Sequence, residues 1–230
     1  RYKCLDNLDL FFSASKAFSD VGADIWNARL SDDRFELLGV SQHIKGDVRM
    51  DRPIDGWRWY GEANDTHNAA VSITNSETGR GGLGVSPSIF RGVCANFCTW
   101  GDVVRSIHLG RTRQEEGLQY ADDTMQSEAQ TVWLKLRDVI KTTFDPVKFE
   151  SWIKRLNGLT QQVIEPEVCV AKVAMKFGMT DTDRASILAE ILKTGDRTRY
   201  GLLQAITEQA HRAEDADRAS QYESWGSGLV

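Results

Sequence analysis

Nowhere in the 230 residues does an apolar run approach the ~18 positions that a membrane-crossing helix needs. No membrane partner is therefore expected. Histidine and cysteine are scarce too, with four of each. His43, His67, His108 and His211 stand too far apart in sequence to form a short ligand pair, and Cys4, Cys94, Cys98 and Cys169 have no Cys-x-x-Cys spacing. These absences argue against a zinc site, and the cysteines read as reduced core residues. The N-terminal Arg-Tyr-Lys-Cys-Leu-Asp holds no apolar signal core and does not open on Met, which reads as a trimmed cytoplasmic chain.

What is present suits a folded domain, because an apolar content of 41% can supply a substantial core at this length. Residues 5–19 carry Leu8, Phe11, Phe12 and Ser15 at helical spacing behind the potential caps Asp6 and Asn7. "ADIWNARL" and "RFELLGVSQHI" flank the polar Ser31-Asp32-Asp33 and predict a β-hairpin. "WRWYGEA" and "NAAVSITN" predict two further strands.

From Gln114 onward the pattern turns helical. Met125, Ala129, Val132, Leu136, Val139 and Ile140 follow three-four spacing, and Asp145-Pro146 opens a helix through Phe149, Trp152, Ile153 and Leu156. A further helix starts near Pro166. Thr180-x-x-Asp183 is a capping signature ahead of Ile187, Leu188, Ile191 and Leu192, and a last helix carries Leu202, Leu203, Ile206 and Ala210. The order of elements predicts the α+β class, with a mainly antiparallel sheet in the N-terminal half, helices on one face of it, and a helical C-terminal half. The expected division is a strand-rich core over 1–113 and a helical region over 114–230.

Gly79-Arg80-Gly81-Gly82-Leu83-Gly84 has the G-x-G-x-x-G spacing of a dinucleotide loop, but Val85-Ser86-Pro87 follows where such a loop opens a helix. Val85 also occupies the place of a phosphate-binding lysine. No cofactor is therefore expected, and a glycine-rich hairpin turn is the plainer reading. Ser88 to Thr99 fits either a buried helix started by Ser86-Pro87 or a core strand, since a uniformly apolar run has no diagnostic period. Neither Ser86 nor Ser88 sits in a nucleophile elbow. The acidic pairs Asp32-Asp33, Glu115-Glu116 and Asp122-Asp123 read as turn or helix-end residues rather than metal ligands, so no metal is expected.

Charge segregation is the more informative feature. The chain has net charge −5, yet Arg80, Arg91, Arg105, Arg111 and Arg113 follow one another with only Asp102 as an acid between them and no lysine. A planar guanidinium donates two parallel hydrogen bonds to phosphate, so this stretch is suited to a polyanion. Upstream, Lys45, Arg49 and Arg52 precede Trp57-Arg58-Trp59-Tyr60. Cations interleaved with aromatic rings serve single-stranded nucleic acid, whose bases stack while its phosphates are neutralised. The alternative for these aromatics is ordinary cross-strand packing.

"AVSITNSETGRGGLGVSPSIFRGVCANFCTWG" and "TRYGLLQAITEQAHRAEDADRASQYESWGSGLV" resemble a family of phage- and plasmid-encoded proteins classed as a domain of unknown function. Its Asn-Ser-Glu-x-Gly segment leads into an Arg-x-Val-Cys-x-Asn core, matched here by Asn75 to Gly79 and by Arg91 to Asn96. The resemblance implies a role in DNA metabolism and assigns no catalytic residue. More distantly, the strands-then-helices order is similar to that of Redβ/RecT-type annealing proteins.

The expectation is a non-enzymatic protein that binds or anneals single-stranded DNA in recombination, acting as a homo-oligomeric ring or filament in a bacterial host cytoplasm. Arg80, Arg91, Arg105, Arg111 and Arg113 would contact phosphate, Lys45 and Arg58 would assist, and Trp57 or Trp59 would stack. Two alternatives belong to other classes. One is a nucleotide- or metal-dependent hydrolase using Asp122, Asp123 or Glu115 with His108; the other is a protein-interaction module for a host factor.

Overall fold

The computed structural model describes residues 5–49, 64–78, 82–92, 96–99, 105–106 and 121–229. Among these residues helix α1 (Asn7–Asp20) is followed by six strands, β1 (Ala23–Leu30), β2 (Phe35–Arg49), β3 (Asn64–Asn75), β4 (Gly84–Arg91), β5 (Asn96–Thr99) and β6 (Arg105–Ser106). Six helices follow among the described residues: α2 (Asp122–Thr143), α3 (Pro146–Thr160), α4 (Pro166–Phe177), α5 (Asp181–Thr194), α6 (Arg199–His211) and α7 (Ala216–Ser227). The strand order is β1-β2-β3-β4-β5, with β6 paired to β4. The β1–β2, β4–β5 and β4–β6 pairs are antiparallel. This is the expected α+β class. "WRWYGEA" lies outside the described residues.

Ser31 closes the first hairpin, its N–H donating to Arg34 O at 2.8 Å. Ser88–Arg91 and Asn96–Thr99 are not helical: they pair with each other as antiparallel strands. Gly84 likewise enters a strand and not a helix, so the glycine loop lacks the helical N-terminus that a dinucleotide fingerprint needs.

By compactness the chain divides into two units that each draw on both halves of the sequence. One comprises 1–43, 69–87 and 102–145. Asp6 caps α1 by accepting from the N–H groups of Leu8 and Asp9. The buried face of α1 is Leu10, Ala14, Ala17 and Phe18, whereas Leu8 and Phe12 are each 62% exposed, so the expected Leu8-Phe12 stripe points outward. The reason is close approach: Phe18 lies against Gly39, where a Cβ would meet its ring at 2.5 Å, and small Ala14 and Ala17 let the helix come near. Phe144 packs edge-on to Phe18 with centroids 6.3 Å apart.

The other unit comprises 44–68, 88–101 and 146–230. Its core gathers Val48, Ile89, Phe149, Ile153, Ile187, Ile191, Leu203, Ile206 and Trp225. The capping signature at Thr180 forms as expected: Thr180 Oγ1 accepts from Asp183 N, and the Asp183 carboxylate accepts from Thr180 N. Helix α7 buries Ala219, Tyr222, Glu223, Trp225 and Gly226, a face that mixes small, aromatic and charged residues. Its Gly226 is needed for close packing, because a Cβ there would lie 2.6 Å from Thr207 Cγ2.

Candidate functional site

Within the second compact unit, β3, β4 and α6 assemble a buried polar cluster. Alternation along β3 turns Asp65 and His67 inward, at 0% and 2% exposure. Arg91, the last residue of β4, is 6% exposed and donates from Nε to Asp65 Oδ2 at 2.5 Å. Tyr200, in the first turn of α6, donates its hydroxyl to the same Oδ2 at 2.5 Å, and its oxygen lies 3.2 Å from His67 Nε2. Gln204, one turn along α6, accepts from Arg91 Nη1 at 3.2 Å. Asp65 Oδ1 is buried and accepts from no group among the described residues.

The electrostatics follow from this burial. Desolvation holds His67 below the ordinary histidine range, opposed by Asp65 and reinforced by the Arg91 charge. Desolvation also raises the Tyr200 phenol well above its usual value. The cluster therefore holds one carboxylate, one guanidinium and a neutral imidazole near neutral pH.

This placement corrects the reading of Arg91. Its guanidinium is committed to Asp65 and Gln204 inside the protein, so the phosphate contact expected of it is withdrawn. Arginine spacing in a sequence carries no record of which side of a strand faces a buried aspartate. In the sequence His67 counts only as one of four scattered histidines, and Asp65 and Tyr200 are not singled out, because β3 and α6 lie far apart there; only the Asp65-x-His67 alternation hints at a shared face.

Exposed cations occur elsewhere in the same unit. The second half of β2 alternates, with Lys45, Asp47 and Arg49 exposed and Val48 buried. Among the described residues neither the Lys45 nor the Arg49 side chain is ion-paired. Asp47 accepts from Thr66 Oγ1 on neighbouring β3 at 2.8 Å. Arg155 on α3 is exposed and stacks over the Trp152 ring, 5.2 Å from its centroid. Neither residue belongs to the site read from the sequence: Trp152 appears there only as a member of a helical pattern, and Arg155 is not singled out.

Arg80, Arg111, Arg113, Trp57, Arg58 and Trp59 lie outside the described residues. Arg105 is placed on β6, opposite Val85, and its side chain lies outside them. Of the residues of the alternative hydrolase reading, Glu115 and His108 also lie outside. Asp122 and Asp123 open α2 with their side chains undescribed. Burial pushes the Cys98 thiol up to about 11, against a contact with Ser227 Oγ at 3.6 Å, which disfavours it as a nucleophile at neutral pH. Among the described residues no helix is long and apolar enough to cross a membrane.

Residues 44–224, most of the chain, match the family described as a domain of unknown function, DUF932. The chain belongs to that family. No curated protein matches this member, and no solved structure does. The matched span takes in the whole Asp65–His67–Arg91–Tyr200 cluster and the Lys45–Arg49 strand.

Proposed function

We propose that this DUF932 member binds single-stranded nucleic acid, most specifically single-stranded DNA handled during recombination of phage or plasmid DNA, without bond chemistry of its own. One observation carries the reading: Lys45 and Arg49 stand four residues apart on the exposed side of β2, with Asp47 between them, neither ion-paired among the described residues. In the sequence that strand is followed by Arg52 and the Trp57-Arg58-Trp59-Tyr60 segment, which lie outside the described residues. Two cations on one strand face, here with Asp47 between them, suit phosphates of an extended strand, and aromatic rings offer stacking platforms. An acidic chain with net charge −5 binds a polyanion only through such a local surface. Arg80, Arg105, Arg111 and Arg113 remain in the proposal as phosphate contacts, Arg91 does not, and a ring or filament of subunits would align these surfaces along a strand.

The test is fluorescence anisotropy of labelled oligonucleotides across a salt series. Binding that weakens with salt, and a slope made shallower by Lys45→Ala with Arg49→Ala, supports the proposal. Absence of binding at low salt rejects it.

A further inference from the structure

The buried cluster has an unusual proton count. His67 Nδ1 lies 2.9 Å from the backbone oxygen of Asp65, and Nε2 lies 3.2 Å from the Tyr200 oxygen. The Tyr200 hydroxyl has one proton, and the 2.5 Å contact assigns it to the Asp65 carboxylate. A neutral imidazole has one N–H. If that proton is on Nδ1, it donates to the Asp65 carbonyl and leaves the Nε2 lone pair facing a phenol oxygen whose proton points elsewhere. If it is on Nε2, the Nδ1 lone pair faces the carbonyl. Each neutral tautomer leaves one contact unmade, and only the imidazolium makes both.

Accepting that extra proton loads a positive charge into a site with 2% exposure at His67. The groups facing the ring come from four elements. Asp47 on β2 and Asp65 on β3 favour the cation, Arg91 on β4 opposes it, and α6 supplies the Tyr200 ring at 6.2 Å between centroids. Asp196, just before α6, acts on Tyr200. Among the described residues of the cluster Asp65 is the acid in contact, and Arg91 already holds it. Protonated, His67 and Arg91 would share one carboxylate. Separating α6 from β3 and β4 relieves that competition, because both cations then reach water.

We propose that Asp65, His67, Arg91 and Tyr200 form a proton-operated latch, closed near neutral pH, that releases the N-terminal turn of α6 from β3 and β4 on acidification. This is independent of nucleic-acid binding. A single proton bound by an opened histidine of ordinary pKa, about 6.5, favours opening by at most about thirtyfold between pH 7.5 and pH 5.

The experiment is amide hydrogen exchange of the whole chain at pH 7.5 and pH 5, corrected for the intrinsic pH dependence of exchange. Protection of the Leu202–Ile206 amides is expected to fall by about ten- to thirtyfold in the wild type, while α5 changes by less than about threefold. In His67→Gln, whose side chain does not titrate, α6 is expected to keep its protection at both pH values. A wild-type α6 unchanged within threefold overturns the latch. An equal loss across α5 and α2 reports global unfolding and overturns it too, and this comparison stands even if His67→Gln does not fold. A thirtyfold loss that persists in His67→Gln assigns the effect to another group and likewise rejects it.

Discussion

The side-chain amide of Asn157 on α3 occupies the place of a neighbouring strand along the edge of β2: its Oδ1 accepts the backbone N–H of Arg49 at 2.8 Å. Its Nδ2 donates to the backbone oxygen of Asp47 at 3.2 Å and to Ile153 O at 2.9 Å. One asparagine thereby joins helix and strand with both halves of its amide used. The contact lies at the surface, so water competes for it. Asn157→Ala is expected to cost about 1 kcal/mol, read from urea midpoints. Asn157→Asp is expected to cost more, because a carboxylate places an acceptor against the Asp47 carbonyl.

Arg91 and Lys45 make opposite predictions. Removing Arg91 leaves Asp65 buried without its counter-charge, and Arg91→Ala is expected to lose about 3–5 kcal/mol of stability. Lys45→Ala with Arg49→Ala is expected to change stability by no more than about 0.5 kcal/mol per site. The same pair is expected to reduce the salt slope of nucleic-acid binding by about 0.7 per lost phosphate contact on a single strand. Denaturant melts and salt-dependent anisotropy on the same protein samples separate the two roles.

How far the sequence reached is visible in such residues. Thr180 and Asp183 were legible because a capping box is local, with partner and helix three residues apart. The β1–β2 hairpin was legible for the same reason, its turn lying between the two strands. Leu8 and Phe12 misled because hydrophobic spacing marks an apolar stripe without saying what lies beneath it, and the small Ala14 and Ala17 gave the closer fit. The cluster was hidden because Asp65 and Tyr200 are 135 positions apart and meet only through the tertiary fold.

Asp183 links α5 to α7. Its carboxylate accepts from Arg218 Nη2 at 2.5 Å, Tyr222 Oη at 2.6 Å and both the N–H and hydroxyl of Thr180 at 2.8 Å. Burial opposes its ionisation, but these donors prevail and hold the carboxyl well below the usual range. A depressed folded pKa contributes stability that is present in full above the unfolded value, about 3.9, and declines as pH falls below it. The stability gap between wild type and Asp183→Asn is therefore expected to stay constant from pH 7 to about pH 5 and to shrink toward pH 3. Urea titrations at those pH values measure it, and a gap that widens at low pH would contradict the assignment.

Gly39 offers a test of packing that involves no charge. It sits in β2 beneath the Phe18 ring, and a methyl group there would come within 2.5 Å of Cε1 and Cζ. Those atoms belong to a ring with 1% exposure, edge-packed on Phe144, so it has no open space into which to swing. Gly39→Ala is expected to destabilise by about 1–3 kcal/mol despite alanine's lower conformational entropy in the unfolded chain. Phe18→Leu alone leaves a void, and is expected to be destabilising as well. Combined, the smaller side chain vacates part of the space the new methyl needs, so the double variant is expected to lose less than the sum of the two singles. A double-mutant cycle in urea measures the coupling, and strict additivity would show that α1 does not rest on Gly39 through Phe18.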